Sequence, residues 1–88
     1  MKIKKTIFKD LLIINNQKFS DDRGEFRELL IEKNIKIRFP FNVMSISRKN
    51  VIRGLHYQLN KPQGKFISVL KGEILDVVVD IRKNSKTF

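Results

Sequence analysis

Glu73-Ile-Leu-Asp-Val-Val-Val-Asp-Ile81 is the stretch that decides the fold. It is rich in β-branched residues, and the two-residue period of an extended backbone places Leu75, Val77, Val79 and Ile81 on one face. Ile74, Asp76, Val78 and Asp80 then share the other. The first face is aliphatic throughout and is assigned to the core. The second pairs two carboxylates with two aliphatic side chains, which fits either a solvated face or a wall on which Asp76 or Asp80 orients a nearby base. Lys71-Gly72 reads as a tight turn, and Phe66 to Leu70 as the strand that hairpin brings alongside.

Working outward, Asn60-Lys-Pro-Gln-Gly64 is a loop rich in turn formers, and Val51 to Leu59 precedes it as another strand. That strand carries His56, the single histidine of the chain. Alternation sets Ile52, His56 and Gln58 on one wall and Leu55, Tyr57 and Leu59 on the other. Gly54 removes a side chain from the His56 wall, leaving room for a ligand or marking a bulge. Strict alternation sends Arg53 to the far face, so a bulge is needed if Arg53 and His56 are to share a site. A lone histidine is more often a structural group than a catalytic one, and the residues alone leave both roles open.

The first half reads as short strands joined by turns. Ile3 to Phe8 and Leu11 to Ile14 are strands, Asn15-Asn16 a turn, and Asp21-Asp22-Arg23-Gly24 a second turn that projects an arginine. Such an arginine ordinarily pairs with a neighbouring acid, here Asp21 or Glu28. A strand and then a short helix over Leu29 to Asn34 follow, and Phe39-Pro40-Phe41 stops any continuation. Asn42 to Ser47 is a strand and Arg48 to Asn50 a polar turn. The expected fold is all-β and antiparallel with at most one short helix, in one small domain spanning residues 1–88.

At 88 residues the chain buries only about 60% of the area its unfolded form exposes, so independent stability is marginal. It has no cysteine, which removes disulfides and thiolate metal sites. The basic N-terminus lacks the apolar core of a signal peptide, and no run approaches the length of a membrane span, so the chain reads as soluble and cytoplasmic. Its net charge of +10 raises nucleic-acid binding by a basic β domain as one reading. The lysines are scattered from Lys2 to Lys86, however, which favours a solvated basic surface suited to an anionic small ligand and predicts no nucleic-acid partner.

Four ordered blocks carry a specific resemblance. Phe19-Ser-Asp-Asp-Arg-Gly-Glu-Phe-Arg-Glu28, Arg53-Gly-Leu-His-Tyr-Gln58 with Pro62-Gln-Gly-Lys65, the apolar strand ending in Ile81, and Arg82-Lys-Asn-Ser-Lys-Thr-Phe88 resemble the dTDP-4-dehydrorhamnose 3,5-epimerase family. The resemblance implies a cupin-type jelly roll, represented here by its N-terminal portion, and a homodimer. It also implies epimerisation of a dTDP-4-keto-6-deoxy sugar in deoxysugar biosynthesis. His56 is then the base, Lys65 the group that stabilises the enolate, and Asp80 a candidate orienter. Arg23, Arg53, Glu28, Phe19 and Gln58 contact the nucleotide-sugar. The chemistry suits these types: an imidazole titrates near neutrality, and guanidinium forks match a diphosphate. Proton transfer beside a ketone requires no cofactor, and one histidine cannot build the several-ligand metal site of other cupins. The sequence departs from the family at Phe41 and Val43, which align with a glutamine and an asparagine spaced Q-x-N. The family's acid, a tyrosine, aligns beyond residue 88, so either the chain is truncated or another subunit completes the site, and it reads as an enzyme fragment or an inactive binding module of the same fold.

Overall fold

A computed structural model describes residues 1–88. Its regular elements are two antiparallel hairpins and one turn of helix. Strands β1 (Lys2–Lys5) and β2 (Leu12–Asn15) pair with Ile3 opposite Ile14 and Lys5 opposite Leu12. The sequence predicts a first strand reaching Phe8, but β1 stops at Lys5 because Thr6 organises the loop. Its hydroxyl donates to the Leu11 carbonyl at 2.8 Å and accepts from the Phe8 N–H at 3.1 Å. A side chain that bonds the local backbone competes with the ladder in this way.

Strands β3 (Lys18–Asp21) and β4 (Gly24–Arg27) form the second hairpin, with Phe19 opposite Phe26 and Asp21 opposite Gly24. The turn expected at Asp21 to Gly24 is present, and Gly24 adopts φ +134°, a value only glycine takes readily. Helix α1 (Glu32–Ile35) starts three residues later than the expected helix at Leu29. Ile31 at its N-cap is extended and offers no capping oxygen, whereas Glu32 places a negative charge in the first turn. Lys36, in the left-handed region at φ 57°, closes the turn through its N–H to the Glu32 carbonyl.

The regular structure is therefore antiparallel β with one short helix. The strands expected at 42–47, 51–59, 66–70 and 73–81 acquire no ladder: beyond Lys36 the backbone bonds are local, as in Val51 N–H to Arg48 O and Ser85 N–H to Arg82 O. The core assigned to the aliphatic face of 75–81 is likewise absent. Leu75 is 90% exposed, and none of the 88 residues is buried. The physical reason is common to both corrections. A strand is stable only when its N–H and C=O groups meet a neighbour and its apolar face meets a second layer, and these segments have neither.

The dimensions agree. The accessible area is 9454 Å² where a compact chain of this mass shows about 5,400 Å². The radius of gyration is 15.5 Å against about 12 Å for a compact domain of this length. No helix is long and apolar enough to cross a membrane.

Candidate functional site

A cleft of about 770 Å³ opens between the two hairpins, the helix and the segment around Lys65. Ile3, Asn16, Glu28, Leu29, Phe39 and Lys65 are among the residues that line it. Two of the residues singled out from the sequence, Glu28 and Lys65, thus share one wall system. Glu28 follows β4 directly, and its N–H donates to the Gln17 carbonyl at 3.2 Å, which continues the β3–β4 ladder by one step. Lys65 is set by its neighbour: the Phe66 ring meets Phe39 edge-on, with centroids 5.7 Å apart at 60°. Such a contact contributes about 0.5–1.5 kcal/mol beyond area burial, and residues 65–69 all line the cleft.

The other singled-out residues lie outside this cleft. His56 is exposed, and its ring has no side-chain hydrogen-bond partner. Gly54, at φ +103°, stands beside it: a Cβ there would sit 3.6 Å from His56 Nδ1. With no strand over 51–59 the expected histidine wall does not form, and the two residues are neighbours through the local backbone. Arg53 donates from Nε to Ser47 Oγ at 2.8 Å, leaving both terminal nitrogens unused. Gln58 is exposed, and Phe19 packs across the hairpin against Phe26 at a centroid distance of 6.4 Å.

Arg23 takes the ordinary partner foreseen for it. Nη2 and Nε donate to Asp21 Oδ2 at 2.7 and 3.2 Å, and its N–H donates to Asp21 Oδ1 at 2.8 Å. These bonds hold the Asp21 carboxyl below its usual range. On the same hairpin the Lys18 ammonium, 2.6 Å away, lowers Glu25 likewise.

Asp80 has partners other than the base it was expected to orient. Its side chain is 4% exposed and accepts from Arg82 Nε at 2.9 Å, from the Arg82 N–H at 3.0 Å, from Ser85 Oγ at 2.6 Å and from Thr87 Oγ1. Arg82 and the two hydroxyls together hold this carboxyl far below the usual carboxylate range. Arg82 Nη1 also reaches Asp10 Oδ2 at 3.0 Å, joining the C-terminal loop to the β1–β2 loop. The bonds of Asp80 therefore go to its own loop and not to His56 or Lys65.

Three anchoring residues do not stand out in the sequence. Phe39 reads only as part of a helix stop, yet an aromatic beside proline between apolar segments is a packing signal. Ser47, expected at the end of the 42–47 strand, instead meets Arg53. Asn16 reads as a turn residue; adjacent asparagines that can bond a distant backbone are the available clue. No group of three or more acidic or imidazole side chains is placed to hold a metal.

Comparison with known proteins bears on the whole chain. The family described as dTDP-4-dehydrorhamnose 3,5-epimerase matches residues 5–88. Proteins with that name are similar to it at 43% identity in Methanothermobacter thermautotrophicus, covering 96% of this chain and 48% of that protein, and at 43% in Shigella flexneri, covering 100% and 52%. A third, from Salmonella typhimurium, is 42% identical over 96% of this chain and 50% of its own length. No solved structure matches. The chain spans about half the length of these curated relatives. With a family match over nearly every residue, the chain belongs to the dTDP-4-dehydrorhamnose 3,5-epimerase family.

Proposed function

We propose that the chain carries the proton-abstraction part of a dTDP-4-dehydrorhamnose 3,5-epimerase, built on a partial cupin-type jelly roll that pairs as a homodimer in the cytoplasm. The observation that carries this reading is the family match across residues 5–88, within which His56 is the only imidazole.

The chemistry starts from the acidity of a C–H bond beside a ketone, where the electron pair left behind spreads onto the carbonyl oxygen. Removing that proton calls for a base that is neutral at working pH and accepts a proton without a large penalty. His56 is the only imidazole in the chain that can fill this role, and its ring makes no side-chain hydrogen bond that would compete for the proton. Lys65 supplies a positive charge for the enolate oxygen. Glu28, on the same cleft, accepts hydrogen bonds from sugar hydroxyls. Arg23 and Arg53 serve the diphosphate; Arg53 has both terminal nitrogens available, whereas Arg23 must exchange Asp21 for phosphate oxygens. Phe19 and Gln58 complete the contacts. Bringing His56 to Glu28 and Lys65 requires the 51–59 segment to pair into a sheet over the cleft, which is the step assigned to the assembled jelly roll. Asp80 stays a candidate orienter only if that assembly releases it from Arg82.

The test is NMR of dTDP-4-keto-6-deoxyglucose incubated with the protein in D₂O, with His56→Ala as control. Deuterium entering the carbon beside the ketone with the wild type and not with the variant is the expected result, and the labelled position identifies the centre addressed. Absence of exchange above the variant's background, in a folded sample, overturns the epimerase reading; retained dTDP binding in that case identifies a binding module.

A further inference from the structure

The two residues that connect the hairpins, Asn16 and Gln17, lie alongside the two that leave β4, Glu28 and Leu29. Gln17 O accepts from the Glu28 N–H at 3.2 Å, and Asn16 Nδ2 donates to Leu29 O at 2.6 Å. The amide orientation follows from its partner, since a carbonyl oxygen at that distance demands the NH₂ end. The other end, Asn16 Oδ1, is enclosed and has no donor. The side chain is thus held by its NH₂ end alone, at the expense of an unsatisfied oxygen. Both Asn16 and Glu28 line the 770 Å³ cleft.

We propose that Asn16 is a positioning residue for Glu28, pinning the backbone just after it so that the Glu28 carboxylate faces the hydroxyl-bearing sugar of a nucleotide-sugar in the cleft. The functional half of this inference rests on the epimerase-family reading of the cleft; the pinning itself does not. The strap fixes the direction in which the chain leaves β4. Without the Leu29 bond, the Glu28 N–H to Gln17 O bond becomes the frayed last rung of the ladder, and its carboxylate swings with it.

Two measurements decide the matter. In amide hydrogen exchange, Asn16→Ala and Asn16→Asp, which keeps the shape but removes the donor, should each raise the Glu28 exchange rate on the order of fivefold while Lys4 and Ile13 are unchanged. An unchanged Glu28 rate, or an equal rise at all four strands, overturns the pinning. In titrations with dTDP-4-keto-6-deoxyglucose, Asn16→Ala should weaken binding on the order of fivefold in the wild-type background and not at all in Glu28→Gln, because its effect passes through that carboxylate. Additive losses overturn the positioning role. A wild-type protein that does not bind this ligand overturns the functional reading of the cleft, and with it the ligand half of the proposal, while the exchange data still decide the pinning.

Discussion

Gly54 leaves space beside the His56 ring that any other residue would fill. At φ +103° an alanine is strained whatever space it finds, on the order of 1–3 kcal/mol, and its Cβ would stand against the His56 ring. Gly54→Ala should therefore lower the urea midpoint and shift the His56 ring resonances together; a shift in neither shows that the backbone relaxes around the change. Asp80 makes a prediction of the opposite kind. Its carboxyl titrates far below its unfolded value, so its contribution is fully present above about pH 4 and declines as pH falls further toward the folded value. Asp80→Asn should be less stable at neutral pH and show a shallower loss in acid. Parallel acid curves for the two proteins, followed by circular dichroism, would mean that Arg82, Ser85 and Thr87 do not discriminate the charged form. The sequence placed Asp80 on a face with Asp76 but had no means of showing that the loop after it, Ser85 and Thr87, folds back to satisfy it.

Among the elements, legibility followed the range of the forces involved. The β3–β4 hairpin was visible because Asp21 and Gly24 define its turn within four residues, and the turn sets the register that places Phe19 opposite Phe26. That aromatic pair is exposed, so Phe26→Ala should cost only about 0.5–1 kcal/mol, read as a lowered melting temperature with the β1–β2 amide shifts unchanged. The helix was located to within three residues, its start moved by the extended Ile31. The apolar segments after residue 40 read as strands from their sequence yet acquire no ladder, since alternation states what a strand would bury and not whether anything is there to bury it. The same limit applied to the site. Glu28 and Lys65 come together through a packing contact between Phe39 and Phe66, 27 positions apart in the chain, that no local pattern announces. Replacing Phe39 with alanine should weaken the proposed nucleotide-sugar binding while leaving the hairpins folded; unaltered affinity would separate Lys65 from the cleft.

For the whole molecule, the decisive quantity is the excess of roughly 4,000 Å² of accessible surface over that of a compact chain of equal mass. Much of it is aliphatic, from Ile46 through Ile81, and obligate interfaces bury about 2,000–5,000 Å² in total. The proposed homodimer predicts a concentration-dependent mass in sedimentation and a falling radius per chain in X-ray scattering. A monomer that keeps 15.5 Å at every concentration would remove it. The surface also predicts strong binding of an apolar dye, reduced on association.

The bond from Arg82 to Asp10 spans 72 positions of the chain. Closing a flexible loop of that length costs about 4 kcal/mol of chain entropy. A solvent-facing ion pair falls well short of that. The contact is therefore a gauge of closure and not its cause: when the two ends are held near each other by everything between them, it forms, and when they part, it vanishes. A spin label on each side of this bond would read the state of the entire chain, and Asp10→Asn would leave the distance between the labels where it was.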